Sequence, residues 1–188
     1  MKRLVIFASG SGTNAENLIR FFQDHNNVQV NMVLSNNPHA KVLERAKNLN
    51  VSALSFNRKA FYQDTIVINM LKESNPDLII LAGFLWKFPE SILESFPNKV
   101  INIHPALLPK YGGKGMYGIN VHKAVVENQE KETGITIHYV NENYDEGAII
   151  FQEKCTVESS DTAEDVAAKI HELEMEHFPK VVEKLLIE

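Results

Sequence analysis

Leu4-Val5-Ile6-Phe7-Ala8-Ser9-Gly10-Ser11-Gly12-Thr13-Asn14-Ala15 is the stretch that sets the architecture. Its first part, residues 4–8, is wholly apolar and short, as a buried strand is. It breaks into a turn containing Gly10 and Gly12, and then Leu18, Ile19 and Phe22 recur at helical spacing. A strand that passes through glycines into a helix is the opening unit of a parallel α/β sheet. The alternation then repeats. Residues 28–34 read as a second strand, 41–49 as a helix and 53–56 as a short third strand. Residues 61–72 read as one helix with Phe61, Ile66, Val67, Met70 and Leu71 on its apolar side, stopped by Asn75-Pro76-Asp77. Residues 78–82 and 100–104 are further apolar strands.

The second half changes character. Residues 108–118 form a loop with Gly112, Gly113, Gly115 and Gly118, followed by a helix over 120–128. Ile135, Ile137 and Tyr139 then alternate with Thr136, His138 and Val140, which predicts a strand over 134–140. Another strand begins at 148–151 and continues towards Val157. Two strands joined by residues 141–147 predict an antiparallel pair at a sheet edge. Thr162-Ala163-Glu164-Asp165 resembles a capping box at the start of a last helix running towards Leu186. There is no internal repeat, linker or low-complexity segment. The expected fold is α/β: a single Rossmann-like open sheet, mostly parallel with an antiparallel edge, helices on both faces, in one domain over residues 1–188.

Bulk properties narrow the partners. The chain has 188 residues, 44% hydrophobic and 23% charged, with a net charge of −5. Those proportions suit a globular domain with a substantial core. Clustered Lys and Arg usually announce a nucleic-acid surface, and there is no long basic run, so no nucleic-acid partner is expected. The single cysteine, Cys155, cannot make an internal disulfide and fits a reducing compartment. The N-terminus is basic and then apolar, but its apolar run is shorter than the roughly 7–15 residues of a secretory signal. Nothing approaches the ~18 apolar residues of a membrane span. A cytoplasmic protein with no membrane partner is the expectation.

The glycine turn at residues 10–15 has three readings. Glycines at a strand-to-helix junction let backbone N–H groups approach an anion, with Ser11, Thr13 and Asn14 adding donors. The turn also fits the dinucleotide pattern G-x-G-x-x-A, or it serves structure alone. A dinucleotide site wants an acidic residue about 20 positions on, and residues 28–38 contain none. The missing acid favours phosphate binding at this turn.

Val100-Ile101-Asn102-Ile103-His104-Pro105 is the most informative stretch for chemistry. Side chains alternate along a strand, so Asn102 and His104 share one side while Ile103 enters the core. In open α/β sheets ligands bind beyond the carboxyl ends of the strands. An amide can donate to a developing oxyanion, and an imidazole can carry a proton near neutral pH. Asp145, in Tyr144-Asp145-Glu146-Gly147, could support such a histidine or simply make its turn. The seven histidines show no metal pattern. His171 and His177 point about 240° apart on one helix, and His138 reads as structural.

Together these segments resemble the glycinamide ribonucleotide formyltransferase family. The matching residues are Gly10-Ser11-Gly12-Thr13-Asn14, Leu81-Ala82-Gly83-Phe84, Asn102-Ile103-His104-Pro105-Ala106-Leu107-Leu108-Pro109, Gly134-Ile135-Thr136-Ile137-His138 and Asp145-Glu146-Gly147. They occur in family order across almost the whole chain. The resemblance implies Asn102, His104 and Asp145 as the catalytic set. It implies that Gly12, Thr13 and Asn14 hold a substrate phosphate and that Glu174 lies near the ribose. It implies that 10-formyltetrahydrofolate is the co-substrate, with its pterin near Leu85, Trp86, Lys87 and Phe88 and under Asn141, Glu142, Asn143 and Tyr144. No metal is implied, and the protein is expected as a monomer or homodimer. Where family members often read Met-Arg after Gly-Phe, this chain reads Leu85-Trp86, so contacts there fall to the backbone.

Rival functions make different demands. A formyltransferase for initiator tRNA needs an added C-terminal domain and a basic surface. A formyl-folate hydrolase normally carries an N-terminal regulatory domain, for which a strand at residue 4 leaves no room. A non-catalytic nucleotide-binding regulator would explain the glycine turn but not Asn102 with His104.

Overall fold

Leu4, Val5, Ile6 and Phe7 are all 0% exposed, so the first strand is covered on both faces. That is the environment of a central strand in a parallel sheet. The computed structural model describes residues 1–187. In chain order the elements are β1 (Lys2–Phe7), α1 (Thr13–Gln23), β2 (Val28–Ser35), α2 (Lys41–Asn48), β3 (Ser52–Ser55), α3 (Arg58–Tyr62) and α4 (Ile66–Ser74). They continue with β4 (Leu78–Leu81), α5 (Glu90–Ser95), β5 (Val100–His104), α6 (Ile119–Glu127), β6 (Glu132–Tyr139), β7 (Ile149–Thr156) and α7 (Ala163–Ile187).

The sheet order is β3-β2-β1-β4-β5-β6-β7. The first five strands run parallel. β6 pairs antiparallel to β5, and β7 antiparallel to β6. The expected mostly parallel sheet with an antiparallel edge is therefore present. Alternate side chains of β1 divide the core. Leu4 and Ile6 join the helices α1, α2, α6 and α7 on one face. Val5 and Phe7 join α3, α4 and α5 on the other.

The strand order reverses between β1 and β4. From β1 the chain winds outward through β2 and β3, then returns to β4 on the opposite side and continues to β5. The loops leaving β1 and β4 diverge at such a point and open a crevice beyond the strand ends.

Two local expectations change. The helix expected over 61–72 is two helices, α3 and α4, parted at residues 63–65. Asn57 accepts a hydrogen bond from Ala60 N and starts α3 early. Phe61, Val67 and Leu71 all enter the same core, so the apolar spacing runs on through the break. The short helix α5 after Pro89 was not anticipated. The start of α7 follows the expected box, with Asp165 as its acid: Asp165 N donates to Thr162 Oγ1 at 3.2 Å, and Thr162 N donates to Asp165 Oδ2 at 2.9 Å.

Candidate active site

The crevice at the switch point is a cavity of about 720 Å³. That lies within the roughly 300–1,000 Å³ typical of small-molecule sites. Three strand ends build it: the turn after β1, the turn after β4, and the end of β5. Ser9 ties the first two together. Its N–H donates to Gly83 O at 3.0 Å, and its Oγ accepts from Leu85 N at 2.9 Å.

On the β1 side, Gly12 is the N-cap of α1, with left-handed backbone at φ 75° and no side chain capping the helix. A Cβ there would lie 2.3 Å from Val42 Cγ2 of α2, so only glycine lets the two helices meet. Gly12, Thr13 and Asn14 all line the cavity. Asn14 Nδ2 donates to Glu174 Oε2 at 2.8 Å, across 160 residues of sequence, and Glu174 also lines the cavity. One of the two N–H groups of the Asn14 amide is thus used, and Asn14 Oδ1 is buried without a partner. His171, one helical turn before Glu174, approaches the same carboxylate at 3.8 Å. That contact raises the His171 pKa above its ordinary value.

On the β5 side, Asn102 and His104 share a wall as their alternation requires. Register places Asn102 opposite His138 and His104 opposite Thr136. His138 Nδ1 lies 2.9 Å from Tyr139 O. A carbonyl only accepts, so that nitrogen carries the proton. With the proton on Nδ1, Nε2 is placed to accept from Asn102 Nδ2, 3.1 Å away, which orients the amide with its NH₂ towards the histidine. Thr136 braces the turn beyond His104: its Oγ1 donates to Ala106 O at 2.6 Å and accepts from Leu108 N at 3.0 Å.

By the same reasoning His104 Nε2, 2.8 Å from Tyr111 O, donates to that carbonyl. Nδ1 is left to gain or lose the proton. Asp145 Oδ2 lies 3.7 Å from His104 Nδ1, and Asp145 Oδ1 lies 3.6 Å from His138 Nε2. Gly113 N donates to Asp145 Oδ2 at 2.8 Å. One carboxylate therefore stands between two histidines. Burial would raise the Asp145 pKa, but contact with His138, charge on His104 and the Gly113 N–H together hold it below the usual carboxylate range. For His104 burial dominates and lowers the pKa, although Asp145 and the Tyr111 carbonyl act to raise it. The imidazole is therefore neutral at neutral pH while the aspartate is ionised.

The residues expected around a pterin divide. Leu85 and Tyr144 line the cavity. Trp86, Lys87, Phe88, Asn141, Glu142 and Asn143 do not. Phe88 is 4% exposed in the core, packed edge-on against Phe7. Trp86 faces Phe56, Phe61 and Tyr62, with Arg58 4.9 Å over its ring, and Lys87 O accepts from Tyr62 OH at 2.8 Å. Aromatic packing turns the Trp86 and Phe88 side chains away from the cavity.

Three histidines were underread. His138, which reads from the sequence as structural, orients Asn102. His171 lines the cavity while His177 packs on Phe151 instead. His122 of α6 is 6% exposed, lines the cavity, and has an unpartnered Nδ1. The i,i+3 spacing of His171 and Glu174 on one helix face, and a histidine between Val121 and Val125, are the signals that could have found the last two. Among the described residues no group of three His, Cys, Asp or Glu side chains is placed to hold a metal ion. No helix among them is long and apolar enough to cross a membrane.

Comparison with known proteins agrees with this geometry. The formyl transferase family model matches residues 2–182. The chain is 33% identical to the phosphoribosylglycinamide formyltransferase of Bacillus subtilis (strain 168), covering 99% of this chain and 95% of that protein. It is 36% identical to the chloroplastic phosphoribosylglycinamide formyltransferase of Arabidopsis thaliana, covering 96% of this chain but only 64% of that longer protein. The structure of glycinamide ribonucleotide transformylase 1 from Geobacillus kaustophilus superposes with a TM-score of 0.89 at 34% identity, covering 99% of each chain. With the glycine turn, the Asn102–His104 strand end and Asp145 meeting in one crevice, and the family pattern running the length of the chain, the protein belongs to the formyl transferase family, on its phosphoribosylglycinamide formyltransferase branch.

Proposed function

We propose that the chain transfers the formyl group of 10-formyltetrahydrofolate to the primary amine of glycinamide ribonucleotide, a step of purine synthesis. The observation that carries this reading is Asp145 held between His104 and His138 beside Asn102, in a cavity whose other end is the Gly12 turn. Gly12, Thr13 and Asn14 would take the phosphate through backbone N–H groups at the start of α1, the Thr13 hydroxyl and the second N–H of the Asn14 amide, whose first is given to Glu174. Glu174 would accept from the ribose hydroxyls. The folate would enter past Leu85 and Tyr144, which line the cavity, and meet backbone groups of residues 85–88 and 141–144.

The residues then act in turn. The amine forms a bond to the formyl carbon, and negative charge collects on the formyl oxygen. Asn102 can donate to that oxygen while His138 holds the amide in place. The neutral His104 can take the proton shed by the attacking amine, with Asp145 favouring the imidazolium that results. The bond to the folate nitrogen breaks, and that nitrogen receives the proton. Each oxyanion donor of this kind is worth roughly 10²–10³ in turnover.

The one sheet with its flanking helices supports treating the chain as a single formyltransferase domain. A cytoplasmic monomer or homodimer, acting on these small molecules alone, is part of the same proposal. The test is an ultraviolet assay with 10-formyl-folate, run with and without glycinamide ribonucleotide. Amine-dependent loss of the formyl group is expected. Loss without the amine would make the protein a hydrolase, and no loss in either case would make it a binding module.

A further inference from the structure

Tyr111, Gly112 and Gly113 thread between the two catalytic candidates. Tyr111 O accepts from His104 Nε2, Gly113 N donates to Asp145 Oδ2, and a Cβ on Gly112 would press on Asp145 Cβ at 3.2 Å. This short segment therefore sets where both side chains stand. Yet it opens a glycine-rich loop, and Tyr111 itself sits at φ 56°, left-handed backbone that a tyrosine rarely adopts. Something must hold it there.

Glu130, just beyond α6, is placed to do so. Its Oε1 accepts from the Tyr111 hydroxyl at 2.9 Å and from Lys110 Nζ at 2.9 Å, and its Oε2 accepts from Lys110 Nζ at 3.1 Å. The backbone beneath Glu130 is fixed as well, since its N–H donates to Val125 O at 3.2 Å. The Glu130 side chain is 23% exposed, so part of its surface is screened from water. The same carboxylate grips two consecutive residues, and the second of them carries the carbonyl that fixes the His104 tautomer.

We propose that Glu130 is a positioning residue for the formyl-transfer site: by clamping Lys110 and the Tyr111 hydroxyl it holds the 111–113 backbone that spaces His104 and Asp145. The carboxylate touches neither substrate nor reacting atoms and acts only through that backbone. The inference rests on the function proposed above, in which His104 and Asp145 do the chemistry.

The test uses Glu130→Ala, Glu130→Gln, Tyr111→Phe and the double variant Tyr111→Phe/Glu130→Ala in the full chain. Glu130→Ala should lower kcat about tenfold, the rate equivalent of about one lost hydrogen bond. KM for both substrates should stay within about twofold, because the clamp lies outside their cavity. The His104 titration, followed by proton NMR without substrates, should move to lower pH as the Tyr111 acceptor drifts. His138 and Asp145 from the sheet edge and Glu174 from α7 also bear on that ring and are unchanged in these variants. Tyr111→Phe should fall similarly, the double variant no further than Glu130→Ala, and Glu130→Gln should recover much of the rate by keeping an acceptor. A folded Glu130→Ala with unaltered His104 titration and kcat overturns the proposal, as does additive loss in the double variant. If Glu130→Ala does not fold, Tyr111→Phe with an unaltered His104 titration overturns it alone. Should His104→Ala keep full activity, the functional reading fails, but the NMR titrations still decide whether Glu130 positions that ring.

Discussion

A series of single glycine-to-alanine substitutions separates the two demands that the cavity turns make on the chain. At Gly10 a Cβ would meet nothing within 4 Å and the backbone is not left-handed. At Gly83 the space is equally open, but φ is 71°. At Gly12 φ is 75° and a Cβ would lie 2.3 Å from Val42 Cγ2, 2.4 Å from its Cβ and 2.7 Å from its Cα. The last contact is with backbone, so no side-chain rotation relieves it, and Val42 N is further tied to Gly10 O at 3.2 Å. Gly10→Ala should therefore change stability by less than about 0.5 kcal/mol. Gly83→Ala should cost about 1–2 kcal/mol for the left-handed backbone. Gly12→Ala should cost that and a further ~1–3 kcal/mol for overpacking, or about 2–5 kcal/mol in all. At about 2–4 °C per kcal/mol for a chain of this size, the Tm loss is roughly 4–20 °C for Gly12→Ala and roughly 2–8 °C for Gly83→Ala. Differential scanning calorimetry reads all three. Titration of the folded Gly12→Ala protein should also show weakened ribonucleotide binding with folate binding retained. A Gly12→Ala variant no less stable than Gly83→Ala would refute the steric argument and, with it, the fixed geometry claimed for the turn.

His104→Ala should lose at least 10²–10³ in turnover with an unchanged circular dichroism spectrum, because Ile101 and Ile103 anchor its strand; near-normal activity would remove it from the mechanism. Asp145→Asn should move the His104 titration to lower pH and cut turnover, since the lost charge lay 3.7 Å from Nδ1. An unaltered NMR titration with unaltered turnover would leave Asp145 a turn residue. Thr13→Val and Asn14→Ala should weaken the ribonucleotide more than the folate in separate calorimetric titrations, and equal losses for both ligands would move the phosphate elsewhere. Stability itself should fall in mild acid. Burial lowers the pKa of both His104 and His122 below the ordinary 6.5. The unfolded chain binds the protons that these rings refuse, so their contribution is complete above 6.5 and is lost as pH falls below it. Glu174 raises the pKa of His171, which opposes this in part; with two buried rings against one, the urea midpoint should drop between pH 7.5 and 5.5, and a midpoint that rose on acidification would contradict the assignment.

Much of this was legible because local pattern and fold agree. The apolar run at 4–8, the glycines after it and the in-register pair Asn102 and His104 each carry their meaning in a few consecutive residues. What escaped depends on distance along the chain. His138 reads as one more residue of an apolar strand until the β5–β6 register sets it against Asn102, and the Asn14–Glu174 bond spans 160 residues. The break between α3 and α4 is hidden because both helices face one core. Trp86 and Phe88 show the limit of adjacency: both side chains pack on Phe61 while Leu85 beside them lines the cavity, so only the backbone of that segment is shared.

The pairing of β5 with β6 also guards the protein against a subtle way of misfolding. Asn102 faces His138 because Ile103 faces Ile137 and Ile101 faces Tyr139. Sliding β6 by one residue would turn His138 to the opposite face. The same slide would carry Ile135 and Ile137, both 0% exposed, out of their packing. It would also displace Gly134 from a spot where any Cβ would lie 2.0 Å from Glu153 O of β7. A chain with a scrambled active site is thus also a chain with a broken core, a natural target for proteases and chaperones. Quality control that senses only exposed hydrophobic surface would thereby remove molecules whose chemistry is wrong, without needing to inspect the chemistry.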